Sequence, residues 1–341
     1  MHITTLEREQ SDPRAQLTAP QIAALCENAF GAAEIERVTE LDGGEFNSTF
    51  LVEFPDGGRA SLRVGPPAQE SSLPSAFWNP ADGLRRAYAV QPYLSALAHL
   101  TPRTLFADFT RRLIARDYMF QSWIDGERWL DCEDELADEE SDTLWHDFGH
   151  ILKQLHSTPG DKFGPPPPGK QYDTWSEYLL AQFEGNLADL AQAQLNSADV
   201  AAVYESAHAH RAILDEIRTP SLLHGDLWTF NLLIRRNPQG VAISGVLDAE
   251  YAWWGDPPAD WTMFIWTYGD GKEMLREQSR FWAGYGPRDE SPNARFRNAL
   301  YHAMHLGRLM LLSHKDGLEE GVARAQRELR QARESMQAVI A

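Results

Sequence analysis

The sequence predicts an α+β fold, with a small N-terminal part built on an antiparallel β-sheet and a larger, mainly helical C-terminal part. Three observations predict it. Strand-like alternation is concentrated in the first third of the chain, and apolar residues recur at helical spacing afterwards. The 341 residues are 43% hydrophobic, enough for two ordinary cores.

In chain order, residues 18–30 predict a short helix, with Thr18 as its cap and Ile22, Leu25 and Phe30 near one face. Strands are expected over 35–41, 48–54 and 59–64. Phe50, Val52 and Phe54 alternate in the second and Ala60, Leu62 and Val64 in the third, with a Pro-Asp-Gly-Gly turn between them. Residues 65–83 read as a loop. A helix is expected over 84–97, kinked or started by Pro92. Tyr118-Met119-Phe120 marks a further strand within 111–121. Beyond it, Leu144, Phe148, Ile151, Leu152 and Leu155 fit one helix face, and Val322, Ala325, Leu329, Ala332 and Met336 fit another. The parts divide at 1–121 and 122–341, and no internal repeat is visible.

Composition narrows the function. Lys and Arg total 31 against 50 Asp and Glu, a formal charge of −19. Such a surface repels nucleic acid and anionic membranes. It tolerates a cationic substrate, although acidic surfaces are more often solubility features. No apolar run reaches membrane-spanning length, and the first ten residues lack the apolar core of a signal peptide. Cys26 and Cys132 suggest neither disulfide nor zinc site. A cytoplasmic location is the default expectation.

Chemistry concentrates in residues 221–261. Leu222-Leu223 leads into His224-Gly225-Asp226, and Asn231 follows Asp226 by five residues. Two apolar runs then flank a polar turn at 235–240, the second ending at Asp248. A hairpin would return Asp248 to the neighbourhood of Asn231. Phosphoryl transfer needs a carboxylate to take or orient the proton of an attacking hydroxyl, and hard oxygen ligands for Mg²⁺ on the nucleotide phosphates. Asp226 suits the first task, and Asn231 and Asp248 the second. A hairpin with polar ends is the plainer reading; the acid at the end of the second run favours catalysis.

These residues, with 245–250 and 255–260, resemble the aminoglycoside phosphotransferase/choline kinase-like family, whose fold is protein-kinase-like. Residues 118–126 resemble the family's hinge, and the similarity runs from about 35 to 312. The resemblance implies an ATP- and Mg²⁺-dependent kinase acting on a hydroxyl of a small molecule such as an aminoglycoside-like antibiotic, amino alcohol or sugar. It implies Asp226 as catalytic base, Asn231 and Asp248 as metal ligands, and Glu250 as an acid assisting the metal directly or through water. His224 and Asp260 would brace the site, and Gln121 and Trp123 would meet the nucleotide at the hinge. Trp228 after His-Gly-Asp-Leu is similar to the fructosamine kinase branch.

Gly43 and Gly44, with Asn47 and Ser48, form a turn between strands whose backbone N–H groups could cover phosphates. The basic residue of the third strand would be Arg63, pointing away from Ala60, Leu62 and Val64 toward the cleft, where many kinases carry lysine. A solvated strand arginine is the plainer reading. The glutamate expected to pair with it is replaced by Ala87, leaving Glu70 or another group to hold Arg63. That departure motivates a rival reading, a nucleotide-binding scaffold without phosphotransfer. Trp253, Trp254, Trp261, Trp266 and Tyr268 are either substrate-facing or core. The ten carboxylates of 125–142 either line an entrance for a cation or form a solvated face. Neither Asp-Phe-Gly nor Ala-Pro-Glu is present, which argues against a protein kinase.

Overall fold

The computed structural model describes all residues except 8–13, 15, 33, 45, 68–81, 239, 261–271 and 341. Glu70, Trp261, Trp266 and Tyr268 therefore lie outside the described residues.

Alternating apolar side chains build the N-terminal sheet. Strands β1 (His2–Thr4), β2 (Arg37–Leu41), β3 (Ser48–Glu53), β4 (Arg59–Val64), β5 (Thr104–Asp108) and β6 (Tyr118–Ser122) lie in the order β1-β2-β3-β4-β6-β5. The short β1 pairs parallel to β2, and the other pairs are antiparallel. Val38, Phe50, Val52, Leu62 and Phe120 cover one face and pack under helix α1 (Ala19–Phe30), whose Ile22 and Leu25 are fully buried. Thr18 and Gln21 close a reciprocal capping box at its start. The opposite face, bearing Ser61 and Arg63, remains open to a cavity.

Two expectations change here. The helix over 84–97 ends early: α2 spans Gly83–Val90, and 3₁₀ turns at Gln91–Tyr93 and Ser95–Leu97 follow, because Pro92 supplies no N–H and blocks a continuing α-helix. Within 111–121 the strand begins only at Tyr118; Asp117 before it is tied by both Arg85 and Arg111.

After the connection come β7 (Glu127–Arg128), α3 (Asp138–His156), α4 (Trp175–Gln192), α5 (Ala198–Ala209), α6 (Arg211–Leu214), β8 (Ser221–Leu223), β9 (Leu232–Asn237), β10 (Gly240–Val246), β11 (Trp253–Gly255), α7 (Lys272–Tyr285), α8 (Pro292–Lys315) and α9 (Glu319–Ile340). The apolar face of α3, all five expected residues, packs on the β9–β10 hairpin in one core. Leu94, Leu97 and Leu100 join that core, and the Val246 N–H donates to the Leu100 carbonyl at 2.8 Å. A second core unites α4, α5, α8 and α9, burying Ala325, Leu329, Ala332 and Met336, while Val322 is half-buried. Trp254 is buried in the first core, and Trp253 stacks on Tyr178 at 5.0 Å beside the second.

Candidate active site

The catalytic segment is held at both ends by backbone hydrogen bonds. Antiparallel β9 and β10 return the chain so that the Leu247 N–H reaches the Asn231 carbonyl at 2.9 Å. The Asn231 Nδ2 amide then donates to the Asp226 backbone carbonyl at 2.7 Å and to its Oδ2 at 3.0 Å. Asp248, the next residue after Leu247, sits in the left-handed region at φ 65°, which aspartate adopts more readily than most side chains. Gly225 (φ 81°) has no alternative: a Cβ there would lie 2.3 Å from the Tyr251 carbonyl oxygen.

Asp260 fixes the start of this loop. Its two carboxylate oxygens accept the backbone N–H groups of His224 (2.7 Å) and Gly225 (2.8 Å), and Oδ2 also lies 3.0 Å from His156 Nε2. His156 in turn meets the Tyr285 hydroxyl at 2.8 Å, so α3 and α7 are tied to the loop through one acid. These bonds, led by the one to the His156 ring, hold the Asp260 carboxyl below its ordinary value although burial opposes them. The His224 ring is buried, which lowers its pKa and keeps it neutral.

Asp226, Asn231, Asp248 and Glu250 line a cavity of about 670 Å³. Arg63 faces them from β4: its Nη2 contacts Asp248 Oδ1 at 2.5 Å and Glu250 Oε2 at 3.3 Å. Asn47 Nδ2 donates to the same Glu250 oxygen at 3.2 Å. Arg63 is therefore held without a helix glutamate. The start of α2 packs end-on against Glu250 instead, so that a Cβ on Gly83 would lie 2.7 Å from Glu250 Oε2. Ala87, one turn further along, carries no charge to this place.

Gly43, Gly44, Asn47, Gln121 and Trp123 also line the cavity. Ser48 does not: strand parity turns its hydroxyl to the Arg14 carbonyl at 3.1 Å, and Thr49 faces the cavity in its place. His224 and Asp260 stand behind the loop, outside the lining.

The family profile described as the phosphotransferase enzyme family matches residues 37–296. The chain belongs to this phosphotransferase family. Its fold is that of aminoglycoside phosphotransferases, which is protein-kinase-like. A thermostable mutant of aminoglycoside phosphotransferase APH(4)-Ia in its apo form superposes with a TM-score of 0.66 at 21% identity, covering 92% of this chain and 98% of that one. A ternary complex of that enzyme with ADP and hygromycin B gives 0.65 at 20% identity, covering 92% and 97%. The GDP and kanamycin complex of APH(2")-IIia gives 0.63 at 17% identity, covering 91% and 97%. No curated protein matches the chain. Among the described residues, no helix is long and apolar enough to cross a membrane.

In this phosphotransferase Asp226 and Glu250 hold their protons more tightly than free carboxylates do. Burial, then the neighbouring Asp248, pushes the Asp226 carboxyl up to about 8, against the opposing Asn231 bond. Burial and Asp248 likewise raise Glu250, against the pull of Arg63. Among the described residues no three acids, histidines or cysteines converge into a ready-made metal cage. One or two carboxylates plus phosphate oxygens is the usual Mg²⁺ arrangement, and this set fits it.

Sequence reasoning missed the far wall of the cavity, where α8 presents His305, Arg308, Leu309 and Leu312, and the near rim, Phe46 and Arg128. A signal for the wall existed: the four α8 residues fall at i, i+3, i+4 and i+7, the spacing of one helix face. Besides Phe46 and Trp123, the aromatic rings lining the cavity among the described residues include Trp228, Phe230 and Tyr251, whereas Trp253 and Trp254 pack in the interior.

Proposed function

We propose that the protein transfers the γ-phosphoryl group of ATP, with Mg²⁺, to a hydroxyl of a small molecule. The observation that carries this is the convergence of Asp226, Asn231, Asp248 and Glu250 on one cavity wall with Arg63 opposite. Asp226 takes the proton of the acceptor hydroxyl as its oxygen bonds to the γ-phosphorus, and the bond from that phosphorus to the ADP oxygen breaks. Asn231 orients Asp226 through Nδ2 and keeps Oδ1 for the cation; Asp248 and Glu250 supply carboxylate oxygens. Bound there, Mg²⁺ would neutralise charge on the phosphates. Arg63 moves from the two acids to phosphate oxygens when nucleotide enters. Gly43, Gly44 and Asn47 cover the phosphates, Gln121 and Trp123 meet the base, and His224 and Asp260 brace the loop. The division at 121/122 falls at the end of β6, whose Ser122 still pairs with Ala60.

The neighbouring enzymes were solved with ADP and hygromycin B, or GDP and kanamycin, which supports a hydroxylated acceptor and leaves ATP and GTP to be compared as donors. One observation favours a nucleotide-binding scaffold instead: Arg63 already occupies Asp248. Turnover of labelled ATP or GTP over a panel of hydroxylated compounds separates the two. Phosphorylated product is expected, falling by about 10²- to 10⁴-fold in Asp226→Ala. Nucleotide binding by thermal shift with no product from any compound would leave the scaffold.

A further inference from the structure

We propose that the acceptor carries, besides its reacting hydroxyl, an anionic group (a carboxylate or phosphate monoester) that Arg308 holds against the α8 wall. This rests on the kinase reading of the cleft and narrows its substrate. The cavity that Asp226 lines also takes His305, Arg308, Leu309 and Leu312 from α8, and Trp228 and Phe230, stacked at 5.3 Å. Arg128 lies over Phe230 at 4.4 Å.

A polycationic acceptor would need carboxylates on these walls. Among the described lining residues, apart from the acids already assigned to catalysis and metal, only Asp42 and Asp131 carry one. Asp131 accepts from Arg128 Nε at 2.8 Å, and Asp42 accepts the Gly43 N–H at 2.8 Å in the glycine turn. The acid-rich stretch 125–142 sends only Asp131 to the cavity. Asp125 pairs with Arg59, Glu140 with Arg236 and Asp142 with Arg280, which makes it a solvated, arginine-laced face.

Against these stands the Arg308 guanidinium. Beside it the His305 imidazole is uncharged, its pKa pushed down to about 3 by burial and by Arg308. Arg308 and Asp226 line the same cavity. Arginine binds carboxylate or phosphate through two parallel N–H bonds, which fixes orientation as well as position. Held there, an anionic hydroxy compound would present its hydroxyl near Asp226. The overall charge of −19 does not oppose this, because exposed carboxylates are screened beyond roughly 8 Å at physiological salt.

The test measures phosphorylation, with Mg²⁺ and ATP, of gluconate and glucose 6-phosphate against uncharged glucose and cationic kanamycin, in wild type, Arg308→Gln and Arg308→Lys. One or both anionic probes should be turned over with the highest kcat/KM, and the preferred one tells carboxylate from phosphate. Arg308→Gln should raise KM for that probe by about 10- to 100-fold, with a smaller change in kcat, and Arg308→Lys should recover part of the loss. A Mg²⁺–ATP thermal shift equal to wild type verifies that the variants are folded. Kanamycin or glucose preferred over both anions, or an Arg308→Gln effect equal for charged and uncharged probes, overturns the proposal while leaving the kinase reading intact. Product from no probe, in a protein that also fails to phosphorylate any wider panel, removes the kinase reading and this inference with it.

Discussion

Arg63 shows what a single residue decides in this site. Its strand parity was legible in the sequence, because Ala60, Leu62 and Val64 fix the opposite face. Its partners were not, since Asp248 and Glu250 lie 185 and 187 residues away in the chain, and only folding brings them to one nitrogen. The Glu250 side chain is 3% exposed, so removing Arg63 strands a buried carboxylate. Arg63→Ala is expected to destabilise the protein by about 3–5 kcal/mol in denaturant titration and to raise KM for ATP by about tenfold. Arg63→Lys should fall between, because both contacts come from Nη2 and an ammonium can reproduce a point charge but not a fork. An alanine variant with unchanged stability and unchanged KM would remove Arg63 from the nucleotide site.

The catalytic loop shows what elements add. The loop itself was legible because its signal is contiguous: His224 to Asn231, then an apolar run, a turn and Asp248. The hairpin follows from that local pattern. What packs behind the loop is not local. His156 comes from α3, Tyr285 from α7, and Asp260 joins them to two backbone N–H groups. The α8 wall escaped notice for a related reason, as polar residues at helical spacing do not announce which cavity they will face. The missed β5 is short and its burial incomplete, so alternation gives little signal. The Asp260 clamp makes a direct prediction. Asp260→Asn keeps the shape but leaves one acceptor oxygen where three donors converge. The expected cost is about 3 kcal/mol of stability by urea titration, with turnover lost faster than nucleotide binding. Stability within about 0.5 kcal/mol of wild type would mean that the clamp is dispensable.

Across the whole molecule, buried acids set the pH response. Asp226 is pushed up to about 8, Asp189 and Asp256 each to about 6, and Glu250 upward as well, in every case chiefly by burial. These groups bind protons more tightly folded than unfolded, where their values lie near 4. The folded state thus holds more protons than the unfolded state through the window from about 4 to 8, and stability falls as pH rises through it. Asp117 and Asp260 act oppositely, with carboxyls held down in the fold; their contribution is present above the unfolded value and lost as pH falls below it. The ligand-free protein should therefore be most stable in mildly acidic solution and lose melting temperature from pH 6 to 8. Asp226→Asn should flatten the upper part of that decline, because Asp226 alone among these acids titrates near 8. Mg²⁺–ATP should stabilise wild type more at pH 8 than at pH 6, since the deprotonated carboxylates bind the cation and binding to the folded state raises its stability by mass action. Differential scanning fluorimetry of both proteins, with and without Mg²⁺–ATP, checks all three slopes. A ligand-free wild type whose melting temperature climbs from pH 6 to 8, in parallel with Asp226→Asn, would show that Asp226 is an ordinary, solvated carboxylate and ill suited to the base role assigned to it.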